Sequence, residues 1–216
     1  MTEDEIVKVC SDAAKEIFKI PFLSYRLPPK AVPGIVFPTK RQKKGEVDRV
    51  SEQEARVKFI EQLNSRGLWY SIETPTEKKY RFKDSTTDGY RISARSDLSI
   101  YALDGNKLEK AVNVEFKEGN PAEKAISKDI QKFYGENMFS VWFHLLEASN
   151  KGTFKSLFAK IKKGLKEKRP KESPPINALF FFCSLKHSKK PRCWWKIVEI
   201  TENGAEDHFD DINTWD

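Results

Sequence analysis

Apolar residues recur along this chain at two spacings, and the changes from one spacing to the other mark out its elements. Ile6, Val9, Ala13, Ile17 and Phe18 keep helical spacing over residues 2–20, with Thr2 placed as N-cap, Glu5 completing a capping box and Pro21 marking the end. The prolines between 21 and 38 predict an extended segment lying over the domain. A second helix is predicted over 51–66, capped by Ser51 with Glu54 at the capping-box position. Val57, Phe59, Ile60 and Leu63 would face inward, and Gly67 would close it. Leu68 to Thr74 reads as a strand ended by Pro75, and Tyr80 to Phe82 as the start of another.

The most informative alternation runs from Arg91 to Lys117. Asp104-Gly105-Asn106 supplies turn chemistry between two runs of period two, which predicts a β-hairpin. Ile92, Ala94, Ser96, Leu98 and Ile100 would share one face of the first strand, leaving Arg95, Asp97 and Ser99 on the other. On the second strand Val112, Val114 and Phe116 would point one way and Asn113, Glu115 and Lys117 the other. Gly119-Asn120-Pro121 reads as a cap followed by proline, and the helix it starts is predicted to about Gly135, burying Ala125, Ile130 and Phe133 with Ile126 nearby, and with Lys128, Asp129, Gln131 and Lys132 on its polar surface. The apolar run Phe139 to Leu146 reads as a strand covered on both faces, with His144 inside it as a hydrogen-bonded core residue. An amphipathic, lysine-rich helix over 153–168, a short linker at 170–175 and two strands at 177–185 and 193–201 complete the pattern.

Composition narrows the class. Of 216 residues 38% are hydrophobic, with 15 Phe and 5 Trp, which predicts a packed core rather than disorder. The formal charge of +7 favours an anionic partner, and nucleic acid is the commonest kind. Three cysteines without Cys-x-x-Cys spacing indicate neither a disulfide framework nor a zinc knuckle. The acidic start Glu3, Asp4, Glu5 argues against a secretory signal, and no apolar stretch has membrane-spanning length, so a soluble, cytoplasmic protein without a membrane partner is expected.

The candidate chemistry lies on the hairpin. Asp97 on one strand, and Glu115 and Lys117 roughly 7 Å apart on the next, offer two carboxylates and an ammonium, a set that suits a divalent metal and a phosphate. The plain alternative is a solvated strand face, on which Glu-x-Lys triplets are common. Glu52, beside Arg56, would project near the apolar side of its helix, although glutamate in a first helical turn is favoured by the helix dipole anyway. The basic stretch Lys40, Arg41, Lys43 and Lys44 reads equally as a phosphate-touching loop or as a solvated one. Lys128, Gln131 and Lys132 are further candidates for nucleic-acid contact, and ordinary solvation of a helix face accounts for each of them singly.

From Ser51 to Leu146 the order is helix, three strands, helix, strand, with Asp on one middle strand and Glu-x-Lys on the next. That arrangement resembles the PD-(D/E)xK nuclease superfamily, on the motif pieces Ser96-Asp97 and Glu115-Phe116-Lys117. Ser96 stands where the name-giving proline would be. The stretch SEQEARVKFIEQLNSRGLW resembles the first helix of the nuclease domain in type I restriction motor subunits, which selects Glu52, four residues before Arg56, over Glu54. Gln131 and Tyr134 resemble the glutamine and tyrosine of the RecB-like branch. The resemblance implies a restriction endonuclease-like three-layer α/β/α fold around a mixed sheet. Its domain would span 51–216, with a core over 51–147 and a helix and strand pair over 153–201, and residues 1–50 would pack on it. It implies that Asp97, Glu115, the Phe116 carbonyl and Glu52 hold Mg²⁺ or Mn²⁺, with Lys117 completing the catalytic set. The activity implied is a metal-dependent endonuclease hydrolysing phosphodiesters, DNA ahead of RNA, with a homodimer left open. The alternative is a nucleic-acid-binding protein on the same fold that does not cut.

Overall fold

The computed structural model describes residues 1–22, 34–42, 45–80, 92–146, 151–167, 175–185, 191–201, 204–205 and 213–215. Helix α1 (Glu3–Phe18) begins with the expected capping box, in which Thr2 Oγ1 accepts from the Glu5 N–H and the Glu5 carboxylate accepts from the Thr2 N–H. Residues 23–33 of the proline-rich segment lie outside the described residues. What is described of its ends makes a parallel bridge between Phe22 and Phe37.

Strands β1 (Thr39–Gln42) and β2 (Gly45–Asp48) then pair antiparallel, where a loop is expected. Backbone pairing from Thr39↔Asp48 to Gln42↔Gly45 makes them a ribbon despite the run of basic residues. Lys43 and Lys44, and the side chains of Lys40 and Arg41, fall outside the described part.

Helix α2 (Glu52–Ser65) leads into β3 (Trp69–Tyr80), β4 (Ile92–Asp104) and β5 (Lys107–Glu118), an antiparallel meander. Pro75 does not end β3 as expected. The strand lies at the edge of the sheet, where a residue without an N–H costs no interior ladder bond, and the register shifts only between Pro75 and Lys79. Gly105, at φ 57°, forms the predicted turn between β4 and β5.

Helix α3 (Glu123–Glu136) crosses to β6 (Phe139–Leu146), which lies parallel to β5. Helix α4 (Lys151–Glu167) crosses to β7 (Ile176–Ser184), parallel to β6. Strand β8 (Arg192–Thr201) returns antiparallel, and the short β9 (Gly204–Ala205) and β10 (Asn213–Trp215) both pair with it. The main path of this mixed sheet is β10-β8-β7-β6-β5-β4-β3.

Alternation along the central strands sorts side chains between two cores. Val141, Phe143 and Leu145 of β6, with Leu179, Phe181 and Cys183 of β7, face α1 and α2. Trp142 and Leu146, with Ala178, Phe180 and Phe182, face α3 and α4. Helices therefore cover both faces, which makes the protein a three-layer α/β structure. Among the described residues no helix is long and apolar enough to cross a membrane.

Contacts of Phe59 and His144 fix the elements that carry the candidate site. Phe59 of α2 packs edge-on against Phe116 and Phe143, at centroid distances of 5.3 and 5.6 Å, so the start of α2 sits over the end of β5. The inward face of α2 is Ala55, Arg56, Phe59 and Leu63, while Val57, expected inside, is exposed. His144 is the predicted core histidine. Its Nδ1 accepts from Trp142 Nε1–H at 3.0 Å, so its Nε2–H donates to the Gly119 carbonyl, 2.8 Å away, and pins the turn that leaves β5.

Candidate active site

The site lies where β4 and β5 part. Their ladder runs from Asp104↔Lys107 to Leu98↔Val114, whereas β4 stays paired with β3 through Thr74↔Ser96 and Pro75↔Arg95. Just past the last β4–β5 pair, the Asp97 carboxylate accepts the Phe116 N–H through Oδ2 at 2.8 Å. A side chain thus takes a donor that a continuing strand would have bonded through its backbone.

Helix α3 fills the wedge that opens there. Lys132 Nζ donates to the Arg95 carbonyl at 3.0 Å and lies 2.6 Å from Glu115 Oε2 and 2.8 Å from Asp129 Oδ1. Asp129 Oδ2 is 3.0 Å from Lys117 Nζ, which also donates to the Phe116 carbonyl at 2.9 Å. Farther along α3, Glu136 accepts from the Tyr80 hydroxyl, the Glu77 N–H and Lys110 Nζ, which ties the far half of β3 to the helix.

Helix α2 closes the other side. Ser51 Oγ accepts the Gln53 N–H, not the Glu54 N–H that a capping box uses. Glu52 Oε1 accepts the Glu118 N–H at 3.1 Å, which docks the first turn of α2 on the end of β5. Arg56 is buried. Its Nη1 donates to Glu73 Oε1 at 2.8 Å, its Nη2 lies 3.4 Å from Asp97 Oδ1, and its guanidinium carbon is 6.0 Å from the centre of the Phe116 ring. Glu73 reaches it from a left-handed backbone, φ 51°, between the pairs Ile72↔Leu98 and Thr74↔Ser96. That conformation costs a residue with a Cβ about 1–2 kcal/mol, so the Arg56 contact is made against backbone strain.

These charges shift one another. Burial pushes the Glu115 carboxyl well above its ordinary range, with Asp129 and Asp97 adding to the effect against the pull of Lys132 and Lys117. Burial, aided by Asp97 and Glu118 and opposed by Lys117, also raises Glu52. For Lys117 burial opposes the charge, but Asp129, Glu115, Asp97 and Glu52 outweigh it and lift the ammonium above its usual value. Lys132 is lifted in the same way by Glu115 and Asp129. Both amines are therefore cations at neutral pH and cannot serve as bases there.

No family model, curated protein or solved structure matches the chain.

The four sequence-predicted residues, Asp97, Glu115, Lys117 and Glu52, lie at one end of β5, where Asp97 accepts the Phe116 N–H and Glu52 the Glu118 N–H, on either side of Lys117 and next to Glu115. The donor chemistry fits a hard divalent cation. Glu115 is 1% exposed, yet its Oε1 has no hydrogen-bond partner among the described residues, and uncompensated carboxylate oxygen is what such a cation takes. The described residues do not, however, hold three His, Cys, Asp or Glu side chains already arranged around one point. The structure fills the cluster with the chain's own cations instead, Arg56 at Asp97 and Lys132 at Glu115, and gives the Phe116 carbonyl to Lys117.

Other expectations need correcting. Lys132 is buried among carboxylates rather than presented to a nucleic acid, because the wedge draws its ammonium inward. Tyr134 donates its hydroxyl to the Leu165 carbonyl of α4 at 2.6 Å, away from the cluster. Gln131 and Lys128 are half-buried on α3. Asn120 does not cap α3. Its N-cap is Ala122, without a side-chain hydrogen bond, and Asn120 Oδ1 accepts from Lys160 at 2.7 Å. Reading α3 as solvated on its polar side missed Asp129. The available signal was an acid and a base three residues apart, each adjoining an apolar residue of the stripe, Ile130 and Phe133.

Proposed function

We propose that the chain is a metal-dependent nuclease that hydrolyses phosphodiester bonds, with DNA ahead of RNA as substrate. The observation that carries this reading is the meeting of Asp97, Glu115 and Lys117 at the opening between two strands, with Glu52 brought to the same strand end by α2. Two further features support it. The order α2-β3-β4-β5-α3-β6, with β6 parallel to β5, is what the PD-(D/E)xK resemblance implies, and it favours a restriction endonuclease-like fold as the finer description. The net charge of +7 suits a polyanionic substrate.

On this reading Asp97 and Glu115 supply the oxygens that hold Mg²⁺ or Mn²⁺, with Glu52 as a further carboxylate at the rim. When bound, such an ion supplies Lewis-acid polarisation of the phosphodiester and acidifies a water. Asp129 fixes Lys117 Nζ, so the ammonium is aimed before substrate arrives and offsets negative charge developing on phosphorus. Arg56, buried between Glu73 and Asp97, holds the Asp97 carboxylate at the mouth of the wedge.

One observation favours a second reading. Glu115 is 1% exposed and ion-paired with Lys132, so the chain could bind nucleic acid on this fold without cutting it. Labelled single- and double-stranded DNA and RNA, incubated with Mg²⁺ or with chelator, separate the two. A nuclease cuts only with the ion, and Lys117→Ala lowers the rate about 100- to 1,000-fold while leaving the fold intact. Retention with no cleavage under any condition supports the binding protein. Cleavage by Lys117→Ala at the parent rate sinks the assignment of that residue.

A further inference from the structure

The surroundings of Lys132 are those of a bound cation. Three oxygens ring its Nζ: Glu115 Oε2 at 2.6 Å, Asp129 Oδ1 at 2.8 Å and the Arg95 carbonyl at 3.0 Å. An ammonium carries three N–H groups; one donates to the Arg95 carbonyl, and the two carboxylates meet the charge at ion-pair distance. Two carboxylates and a backbone carbonyl are also the oxygen donors that a hard divalent ion collects. They come from three elements, β4, β5 and α3, and the lysine that fills the space between them is 7% exposed.

Glu115 is ion-paired rather than hydrogen-bonded there. Its Oε2 lies 2.6 Å from Lys132 Nζ, and neither Oε2 nor the equally buried Oε1 has a hydrogen-bond partner among the described residues. Asp97 is held beside Glu115, since the Asp97 Oδ2 accepts the N–H of Phe116, the residue after Glu115, at 2.8 Å. Asp129 is shared between two ammonium groups, through Oδ1 to Lys132 and Oδ2 to Lys117, and keeps no oxygen without a cationic neighbour.

We propose that Lys132 is a tethered substitute for a second metal ion. The site then takes a single divalent cation, at Glu115 Oε1 and Asp97, while the ammonium holds the position between Glu115 Oε2, Asp129 and the Arg95 carbonyl. This rests on the metal-dependent reading above and adds the number of ions and the residue that sets it. Asp129 acquires a role as well, since it couples the substitute cation to the catalytic ammonium of Lys117.

The test counts Mn²⁺ ions bound per chain, by electron paramagnetic resonance of free Mn²⁺ during titration, without substrate. The parent protein binds one. Lys132→Met keeps the length and loses the charge, and binds two. Lys132→Met/Asp129→Asn returns to one. Circular dichroism melts accompany each variant, and the parent count stands even if a variant does not fold. Two ions on the parent, or a folded Lys132→Met that still binds one, overturns the proposal. Failure of the underlying reading looks different, because the parent then binds none. In that event one ion gained by Lys132→Met still supports the ammonium as a cation substitute, and none gained removes it.

Discussion

His144 should make the stability of this protein fall steeply on mild acidification. Burial, with Lys117 adding to it and the Gly119 carbonyl opposing, holds the imidazole at a pKa of about 4 against an ordinary value of 6.5. Protonation would set a new Nδ1–H against the Trp142 Nε1–H that now donates to that nitrogen, so two donors would face each other. The unfolded chain takes up a proton below pH 6.5 and the folded chain does not, so stability present above that pH is lost as pH falls towards 4. At 1.36 kcal/mol per unit, the loss is about 2 kcal/mol at pH 5 and about 3 kcal/mol at pH 4. Against a total of about 5–15 kcal/mol this is a large share. Urea unfolding of the parent and of His144→Gln at pH 7.5, 6, 5 and 4 isolates it, since the carboxylates common to both cancel in the difference. The parent should lose that much more than the variant across the range, and parallel stability curves would refute the reasoning. Because Nε2–H holds the Gly119 carbonyl two residues after Lys117, any cleavage activity should decline over the same window.

Three further outcomes are expected. Phe59→Ala should cost about 3–5 kcal/mol in urea unfolding and should loosen the site as well, because Phe59 seats α2 on Phe116. Gly135→Ala should lower stability by about 1–3 kcal/mol in thermal unfolding, since a Cβ there would overlap the Tyr80 phenol that donates to Glu136. Glu52→Gln should leave the melting temperature near the parent's, because an amide oxygen still accepts the Glu118 N–H, and should reduce Mg²⁺-dependent cleavage about 10- to 100-fold.

What could be read in the sequence followed from period. The alternation of Val112, Val114 and Phe116 puts Asn113, Glu115 and Lys117 on the opposite face whatever lies above them, and one residue of slip would have inverted both sets. The same logic located His144 in a strand covered on both sides. What was hidden depends on partners far along the chain. The buried face of α2 includes Arg56 in place of Val57 because Glu73 and Asp97 meet the guanidinium, and Glu73 does so only from a left-handed conformation that local composition does not announce. Pro75 stays within β3 because that strand is at the edge, a property of the sheet order. Asp129 and Lys132 look like an ordinary exposed helix pair until β4 is seen to leave β5 at Asp97, which opens the space they occupy.

The central claim is that Asp97 and Glu115 share one divalent ion beside Lys117, and crystals grown with Mn²⁺ and measured at its anomalous edge address it most directly. The account predicts a single peak within coordination distance of Glu115 Oε1 and an Asp97 oxygen, with Lys132 Nζ still between Glu115 and Asp129. Density showing both carboxylates engaged only by Arg56 and Lys132, at an Mn²⁺ concentration that saturates the protein in solution, would contradict it.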